Sequence, residues 1–135
     1  MLSLLSAQEL ADICGGLWHP APPSGNARGI KIDSRALDKG NIFVALKGAR
    51  SDGHDFVSQL DVTDIFAAIV EHAVANTEVA QLVVPDALIA LQTLAQNCAL
   101  RTTATKLAIT GSVGKTGTKE MLAHLLASVG QTHAT

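Results

Sequence analysis

The chain has 135 residues, of which 47% are hydrophobic and 16% charged, and its formal net charge is −2. This composition is that of a globular protein with enough chain for a compact core. It lacks the basic field that a nucleic acid requires, and with one Trp, three Phe and no Tyr it has few stacking platforms for bases. No apolar run reaches the ~18 to 20 residues of a membrane span. We therefore expect a soluble, cytoplasmic protein without a signal peptide.

The first hundred residues carry alternating helix and strand signals. A capping box over residues 6–9 starts a predicted helix, which Gly15 and Gly16 end. Alternating apolar and polar residues predict a half-buried strand over residues 29–33, and apolar segments predict strands over residues 42–46, 65–70 and 81–84. A short helix is expected over residues 55–60 and a longer one from Pro85 to about Ala99. Cys14 and Cys98 fall in predicted helices, and we expect them to be small core residues rather than a disulfide or a metal site.

A polar, threonine-rich connector over residues 101–105 marks a predicted domain boundary. After it, residues 107–110 have the pattern of a strand and residues 115–129 that of an amphipathic helix. The predicted fold class is α/β. We expect a small mixed-sheet domain (residues 1–102), followed by the first βα unit of a second domain (residues 103–135).

The sequence GSVGKT at residues 111–116 lies between that strand and that helix and has the chemistry of a phosphate-binding loop. Its glycines let backbone N–H groups approach phosphate oxygens, and the helix presents its positive end to the same anion. Lys115 adds a full charge, and the hydroxyl of Thr116 is placed to ligate Mg²⁺. The residues predicted to bind ATP are Gly111, Ser112, Val113, Gly114, Lys115, Thr116 and Gly117. The alternative is a glycine-containing turn with a solvated lysine, because Ile109 replaces the first glycine of the usual pattern.

Residues 107–122 resemble the ATP loop of the Mur ligases, which build the peptide stem of bacterial peptidoglycan. That family uses a T-G-x-x-G-K-T-x-T-K version without the first glycine, which accounts for Ile109. Gly117 departs from the family pattern, which has Thr or Ser there.

The amino-terminal part resembles the substrate domain of the family members that add D-alanyl-D-alanine. The matching segments are I-D-S-R-A-L (32–37), G-N-I-F-V-A-L-K-G (40–48), D-G-H-D-F-V (52–57) and Q-L-V-V-P-D (81–86). The sister ligase that adds the third amino acid shares D-S-R and D-G but not the full set, and it remains an alternative. A free-standing UDP-sugar-binding module with a vestigial P-loop is the second alternative.

The resemblance implies that residues 1–102 are a substrate-binding domain and that residues 103–135 are the first βα unit of a P-loop ATPase domain. It also implies a reaction and a set of residues. ATP would phosphorylate UDP-N-acetylmuramoyl-tripeptide, and the amine of D-Ala-D-Ala would attack the acyl phosphate. Lys115 and Thr116 would be the catalytic residues, with Thr116 holding Mg²⁺. The residues expected to bind the UDP end are Asp33, Ser34, Arg35, Lys47, Asp52 and Gly53. Arg35 and Lys47 would pair with the diphosphate, and Ser34 with uracil or ribose.

Simpler structural roles are open for several of these residues. Residues 33–35 also fit a capped turn with a surface ion pair, and residues 52–54 a tight turn leading into a helix. We expect the five histidines to be surface or turn residues and Glu120 to be an exposed helix carboxylate.

The rest of the family's active site lies downstream of the phosphate loop. We therefore expect the 135-residue chain alone to be inactive as a ligase. We also expect its final βα unit to be partly mobile, or to dimerise or swap so that its apolar face is covered.

Overall fold

The computed structural model describes residues 5–135 and contains two compact units, which divide between Thr102 and Thr103. The strands are β1 (Leu5–Ser6), β2 (Leu17–His19), β3 (Asn26–Ala27), β4 (Gly29–Lys31), β5 (Asn41–Val44), β6 (Ile65–Val70) and β7 (Gln81–Val83). The helices are α1 (Ala7–Cys14), α2 (His54–Val57), α3 (Ala87–Arg101) and α4 (Lys115–Ala127), and a 3₁₀ turn covers Ser34–Ala36.

A mixed five-stranded sheet with the order β2-β7-β6-β5-β4 forms the centre of the first unit. Strands β4 to β7 pair in parallel, whereas β2 pairs antiparallel with β7 at one edge. Strands β1 and β3 form a separate antiparallel pair. The prediction of a mixed-sheet α/β fold is confirmed.

The central strands β5 and β6 are buried on both faces, as expected for parallel strands between covering layers. Along β5, Ile42 and Val44 join the apolar cluster formed with α1 and α3, and Phe43 joins the cluster on the other face. This alternation follows from the two-residue period of a strand. The side chains in the continuous apolar runs of β5 and β6 can therefore pack on one face of the sheet or the other.

Local hydrogen bonds fix where the helices begin. Ser6 and Glu9 form the predicted capping box, in which Glu9 Oε2 accepts from the Ser6 backbone N–H at 2.9 Å. Gly15 ends α1 in the left-handed conformation, with φ 66°. Asp86 caps α3 by accepting from the Ile89 N–H at 2.8 Å. Pro85 thus precedes the cap, and the prediction that it would lie in the first turn of α3 is wrong.

The two cysteines lie on neighbouring helices, and neither forms a disulfide. Cys14 on α1 and Cys98 on α3 are half-buried against the same apolar cluster. Burial raises the pKa of the Cys14 thiol to about 11. Such a thiol behaves as a small apolar residue at neutral pH.

The second unit differs from its predicted βα form. Residues 107–110 are not a strand, and α4 ends at Ala127 rather than at residue 129. A strand exists only when a neighbouring strand pairs with its N–H and C=O groups, and no strand is present in this unit of the structure. None of the residues of α4 is buried, and Met121 is 68% exposed. The predicted amphipathic helix is present, but its apolar face is uncovered within the unit.

Replacement of Leu94 tests the account of the core. Leu94 on α3 is fully buried, whereas Leu88 on the same helix is 52% exposed. Leu94→Ala should lower the free energy of unfolding by about 2–5 kcal/mol, because it removes buried contacts and leaves a cavity. Leu88→Ala is the matched control and should change it by less than about 0.5 kcal/mol. Urea denaturation measures both, and equal effects would contradict the assigned core.

Candidate functional site

The carboxyl ends of β4, β5, β6 and β7 lie at one edge of the sheet because these strands are parallel. The segments that follow them contain most of the residues predicted to bind substrate. Residues 33–35 follow β4, residues 47–53 follow β5, and Glu71 follows β6. Open α/β sheets bind ligands at this edge. The topology therefore brings the two predicted UDP-binding segments to neighbouring positions.

The turn after β4 is held by Asp33 and Arg35. Asp33 Oδ1 accepts from the Arg35 backbone N–H and from Arg35 Nε, each at 3.0 Å. Asp33 Oδ2 accepts from Arg35 Nη2 at 2.9 Å. The hydrogen bonds from Arg35 lower the pKa of Asp33 to about 2. The Arg35 side chain is nevertheless 87% exposed, so its guanidinium can also meet an anion from solution.

A groove lies between β4 and α3 beside this turn. Its walls are mainly apolar, and its volume is about 380 Å³. Its lining residues are Ile30, Lys31, Ile32, Asp33, Leu91, Ala95 and Cys98. The edge of the sheet thus combines an exposed cation with an adjoining apolar surface.

The loop after β5 is closed by its own backbone. Lys47 and Asp52 form an antiparallel bridge, and the Gly48 N–H donates to the Ser51 carbonyl at 2.9 Å. Gly53 is buried, and a Cβ added there would lie 2.7 Å from the Cα of Ala45. Glycine is therefore required by close backbone packing. Lys47 stays exposed and can contact a ligand.

His54 is buried, being only 5% exposed, so the prediction that every histidine lies at the surface or in a turn is wrong here. Its Nδ1 lies 2.6 Å from Asp52 Oδ1, and its Nε2 accepts from the Glu71 backbone N–H at 2.9 Å. Because the backbone N–H of Glu71 can only donate, Nε2 is the unprotonated nitrogen, and Nδ1 carries the proton that Asp52 accepts. The ring of His72 stacks on His54 at 4.3 Å between centroids.

Two further interactions extend this arrangement. Glu71 Oε1 accepts from the Ala87 N–H at 3.1 Å, which connects the end of β6 to the start of α3. Hydrogen bonds from the His54 backbone and ring lower the pKa of Asp52. Sequence reasoning missed the role of His54. The spacing D-G-H, which puts a ring donor two residues after a carboxylate, was the available signal.

The phosphate loop lies in the second unit. Gly114 has φ 79°, a conformation that favours glycine, and α4 begins at Lys115 as predicted. Lys115 Nζ donates to the carbonyl oxygen of Gly111. No side chain caps the first turn of α4, so the loop leaves N–H groups open to an anion. Thr116 and Gly117 lie in this first turn, and both are exposed.

Residues 5–135 contain neither a metal-binding cluster nor a membrane-spanning helix. They bring no three His, Cys, Asp or Glu side chains together in a metal-binding group. Nor do they include a helix with the length and hydropathy to cross a membrane. Glu120 is exposed on α4, where it pairs with Lys119 at 3.0 Å.

Removal of the Arg35 guanidinium tests the geometry of the turn. Arg35→Gln should raise the pKa of Asp33 from about 2 towards its ordinary value of 3.8, because two side-chain hydrogen bonds are lost. Since pairing lowers the folded-state pKa, its stabilising effect is present above the ordinary pKa and is lost as the pH falls through about 2. Carboxyl-carbon NMR measures the titration, with Arg50→Gln as the exposed control. An unchanged Asp33 pKa in Arg35→Gln would contradict the pairing.

Comparisons with known proteins agree on one family. The family model described as "Mur ligase family, catalytic domain" matches residues 26–109, a range that ends before the phosphate loop. UDP-N-acetylmuramoyl-tripeptide–D-alanyl-D-alanine ligase from Escherichia coli is 37% identical over 95% of this chain and 28% of its own length. The Synechocystis ligase of the same name is 39% identical over 78% of this chain and 24% of its own. The chain thus spans about a quarter of these relatives.

Solved structures give the same result. MurF from Acinetobacter baumannii matches 95% of this chain and 28% of its own, with a TM-score of 0.80 and 40% identity. MurF ligase from Thermotoga maritima in complex with ADP matches 76% of this chain and 24% of its own, with a TM-score of 0.62 and 34% identity. The match of the family model to more than half of the chain establishes its membership: the chain belongs to the Mur ligase family.

Proposed function

We propose that this chain is the amino-terminal part of an ATP-dependent ligase that joins D-Ala-D-Ala to UDP-N-acetylmuramoyl-tripeptide. The observation that carries the proposal is the similarity to MurF, at 40% identity and a TM-score of 0.80 over 95% of the chain. The named relatives from Synechocystis, Escherichia coli and Bacillus subtilis are all D-Ala-D-Ala ligases. This agreement favours the D-Ala-D-Ala ligase over the sister enzyme that adds the third amino acid.

The proposed division of labour follows the two units. Residues 1–102 would bind the UDP-muramoyl end of the substrate, and residues 103–135 would begin the ATP-binding domain. Both Arg35 and Lys47 are exposed after parallel strands, where they can pair with a diphosphate. Ser34 in the turn would bond uracil or ribose, and the apolar groove beside Asp33 would receive the flat face of the base.

Asp52 and Gly53 have a different proposed part in binding. Asp52 accepts hydrogen bonds from His54, and Gly53 packs against the backbone of Ala45. We assign both to shaping the loop that presents Lys47, rather than to direct contact with the nucleotide.

The phosphate loop would hold ATP through its backbone N–H groups and Lys115. The loop fits this role because Gly114 turns the chain into α4 and the first turn has no side-chain cap. Residues 111–117 would surround the phosphates, and the Thr116 hydroxyl would contribute one ligand to Mg²⁺. When bound, that ion would neutralise phosphate charge. When ATP binds, Lys115 Nζ would leave the Gly111 carbonyl oxygen and donate to a phosphate oxygen, which would place its charge beside the phosphates.

In the proposed reaction a substrate carboxylate oxygen attacks the terminal phosphorus of ATP, which forms an acyl phosphate and releases ADP. The D-Ala-D-Ala amine then attacks the acyl carbon and loses a proton, and inorganic phosphate leaves. Lys115 stabilises the negative charge of the phosphoryl group during the first transfer. The products are an amide, ADP and phosphate.

Phosphate release by the full-length protein tests this function. Release should require ATP, UDP-N-acetylmuramoyl-tripeptide and D-Ala-D-Ala together. Lys115→Ala should lower kcat by about 10²- to 10³-fold, because a charged donor to the transferring group is lost. Lys106→Ala removes another exposed lysine of the same unit and should leave kcat unchanged.

Two results would contradict the proposal. One is release that proceeds without D-Ala-D-Ala. The other is turnover by the 135-residue chain alone, which is expected to be inactive.

A further inference from the structure

His54 connects the loop of residues 47–53 to the neighbouring strand. On one side of the ring, Nδ1 donates to Asp52 Oδ1 at 2.6 Å. On the other side, Nε2 accepts from the Glu71 N–H at 2.9 Å, directly after β6. The loop and the end of β6 are therefore joined through one buried ring.

Glu71 also connects the end of β6 to α3. Glu71 accepts from the Ala87 N–H in the first turn of that helix. Asp52 is also the bridge partner of Lys47, so the position of Asp52 sets the backbone position of Lys47. Four parts of the carboxyl edge thus share one chain of contacts: Lys47 after β5, the Asp52 turn, the end of β6 and the start of α3.

The hydrogen bonds of Asp52 also affect how the loop of residues 47–53 presents its charged side chains. An unpaired carboxylate near a diphosphate would repel it. Asp52 is only partly exposed, and its Oδ1 accepts from both the backbone N–H and the ring of His54. Lys47 and Arg50 are exposed on the same loop, and the charge of Lys47 contributes to the lowered pKa of Asp52. The loop therefore presents two exposed cations, while its carboxylate keeps its charge but is held in place by hydrogen bonds.

We propose that His54 is a positioning residue for the UDP end of the substrate, acting through Asp52 on the placement of Lys47. This inference rests on the proposed function, because it takes the loop of residues 47–53 to face the diphosphate. His54 itself does not touch the substrate. The chemistry that the loop would recognise is that of a nucleoside diphosphate.

Two conservative variants separate positioning from simple structural support. The amide nitrogen of Asn can take the place of Nδ1 and donate to Asp52, whereas the amide oxygen of Gln can take the place of Nε2 and accept from Glu71. If the contact to Asp52 positions the loop, His54→Asn should keep UDP affinity within about twofold of the unchanged chain. His54→Gln and His54→Ala should each weaken it about fivefold to tenfold, the effect of one lost ordered hydrogen bond.

Gln81 supplies the matched control. Like His54, it is buried and makes two side-chain hydrogen bonds: its Oε1 accepts from the Val74 N–H, and its Nε2 donates to the Val74 carbonyl. These bonds do not involve the loop of residues 47–53. Gln81→Ala should destabilise the protein yet leave UDP affinity unchanged. Calorimetric titration of the 135-residue chain with UDP gives the affinities, and urea denaturation gives the stabilities. The inference is overturned if His54→Asn and His54→Gln weaken UDP binding equally. It is also overturned if UDP affinity falls in proportion to the free energy of unfolding across all four variants.

Amide hydrogen exchange tests the loop without any ligand. The Gly48 and Gly53 amides donate within the loop and to Leu46, so they report its order. Their exchange should accelerate about tenfold in His54→Ala and stay unchanged in Gln81→Ala. Equal acceleration in both variants would overturn the positioning role. If the unchanged chain does not bind UDP, the proposed UDP site fails, and the exchange result alone then decides whether His54 positions the loop.

Discussion

Parallel pairing of four strands, of which β5 and β6 are buried almost completely on both faces, is the constraint on which the rest of this chain depends. Side chains of β5 and β6 are committed to packing on either face, so these strands have no surface with which to hold a ligand. Polar groups can then act only where the strands end. Because β4 to β7 run in the same direction, the loops that follow them meet at one edge.

Charge at that edge is arranged so that acidic groups are paired and basic groups stay accessible. Asp33 accepts two hydrogen bonds from the Arg35 side chain, yet most of that side chain remains in solvent. Asp52 is paired with His54, while Lys47 is exposed. Arg35 and Lys47 are therefore both within reach of an anionic ligand from solution. This distribution supports a diphosphate at the edge, although the net charge of the whole chain is negative.

Much of the first unit could be predicted because its signals are local. The capping box at Ser6 gives the start of α1, and the apolar run over residues 65–70 gives all of β6. Local patterns do not predict strands β1, β2 and β3, because these strands owe their form to pairing partners distant in sequence. The predicted strand over residues 107–110 failed for the converse reason, since its apolar pattern has no partner in the second unit.

The candidate site shows the same difference between local signals and contacts that are distant in sequence. Motifs predict the segments 33–35, 47–53 and 111–117, and the matched family model covers the first two of these segments. No motif could indicate that His54 is buried between Asp52 and Glu71, because that contact spans 17 residues and needs β5 and β6 side by side. The individual binding roles of these residues stay predictions. For residues 33–35 and 47–53, their placement after neighbouring parallel strands gives those predictions a common physical basis.

The central claim is that the first unit binds the UDP end of a muramoyl-peptide at the carboxyl edge of its sheet. Titration of the ¹⁵N-labelled chain with UDP, followed by amide NMR, tests it most directly. The account predicts chemical-shift changes concentrated at residues 33–35 and 47–53, with the antiparallel edge strand β2 unaffected. Shift changes confined to the phosphate loop at residues 111–117, or none at saturating UDP, would contradict it.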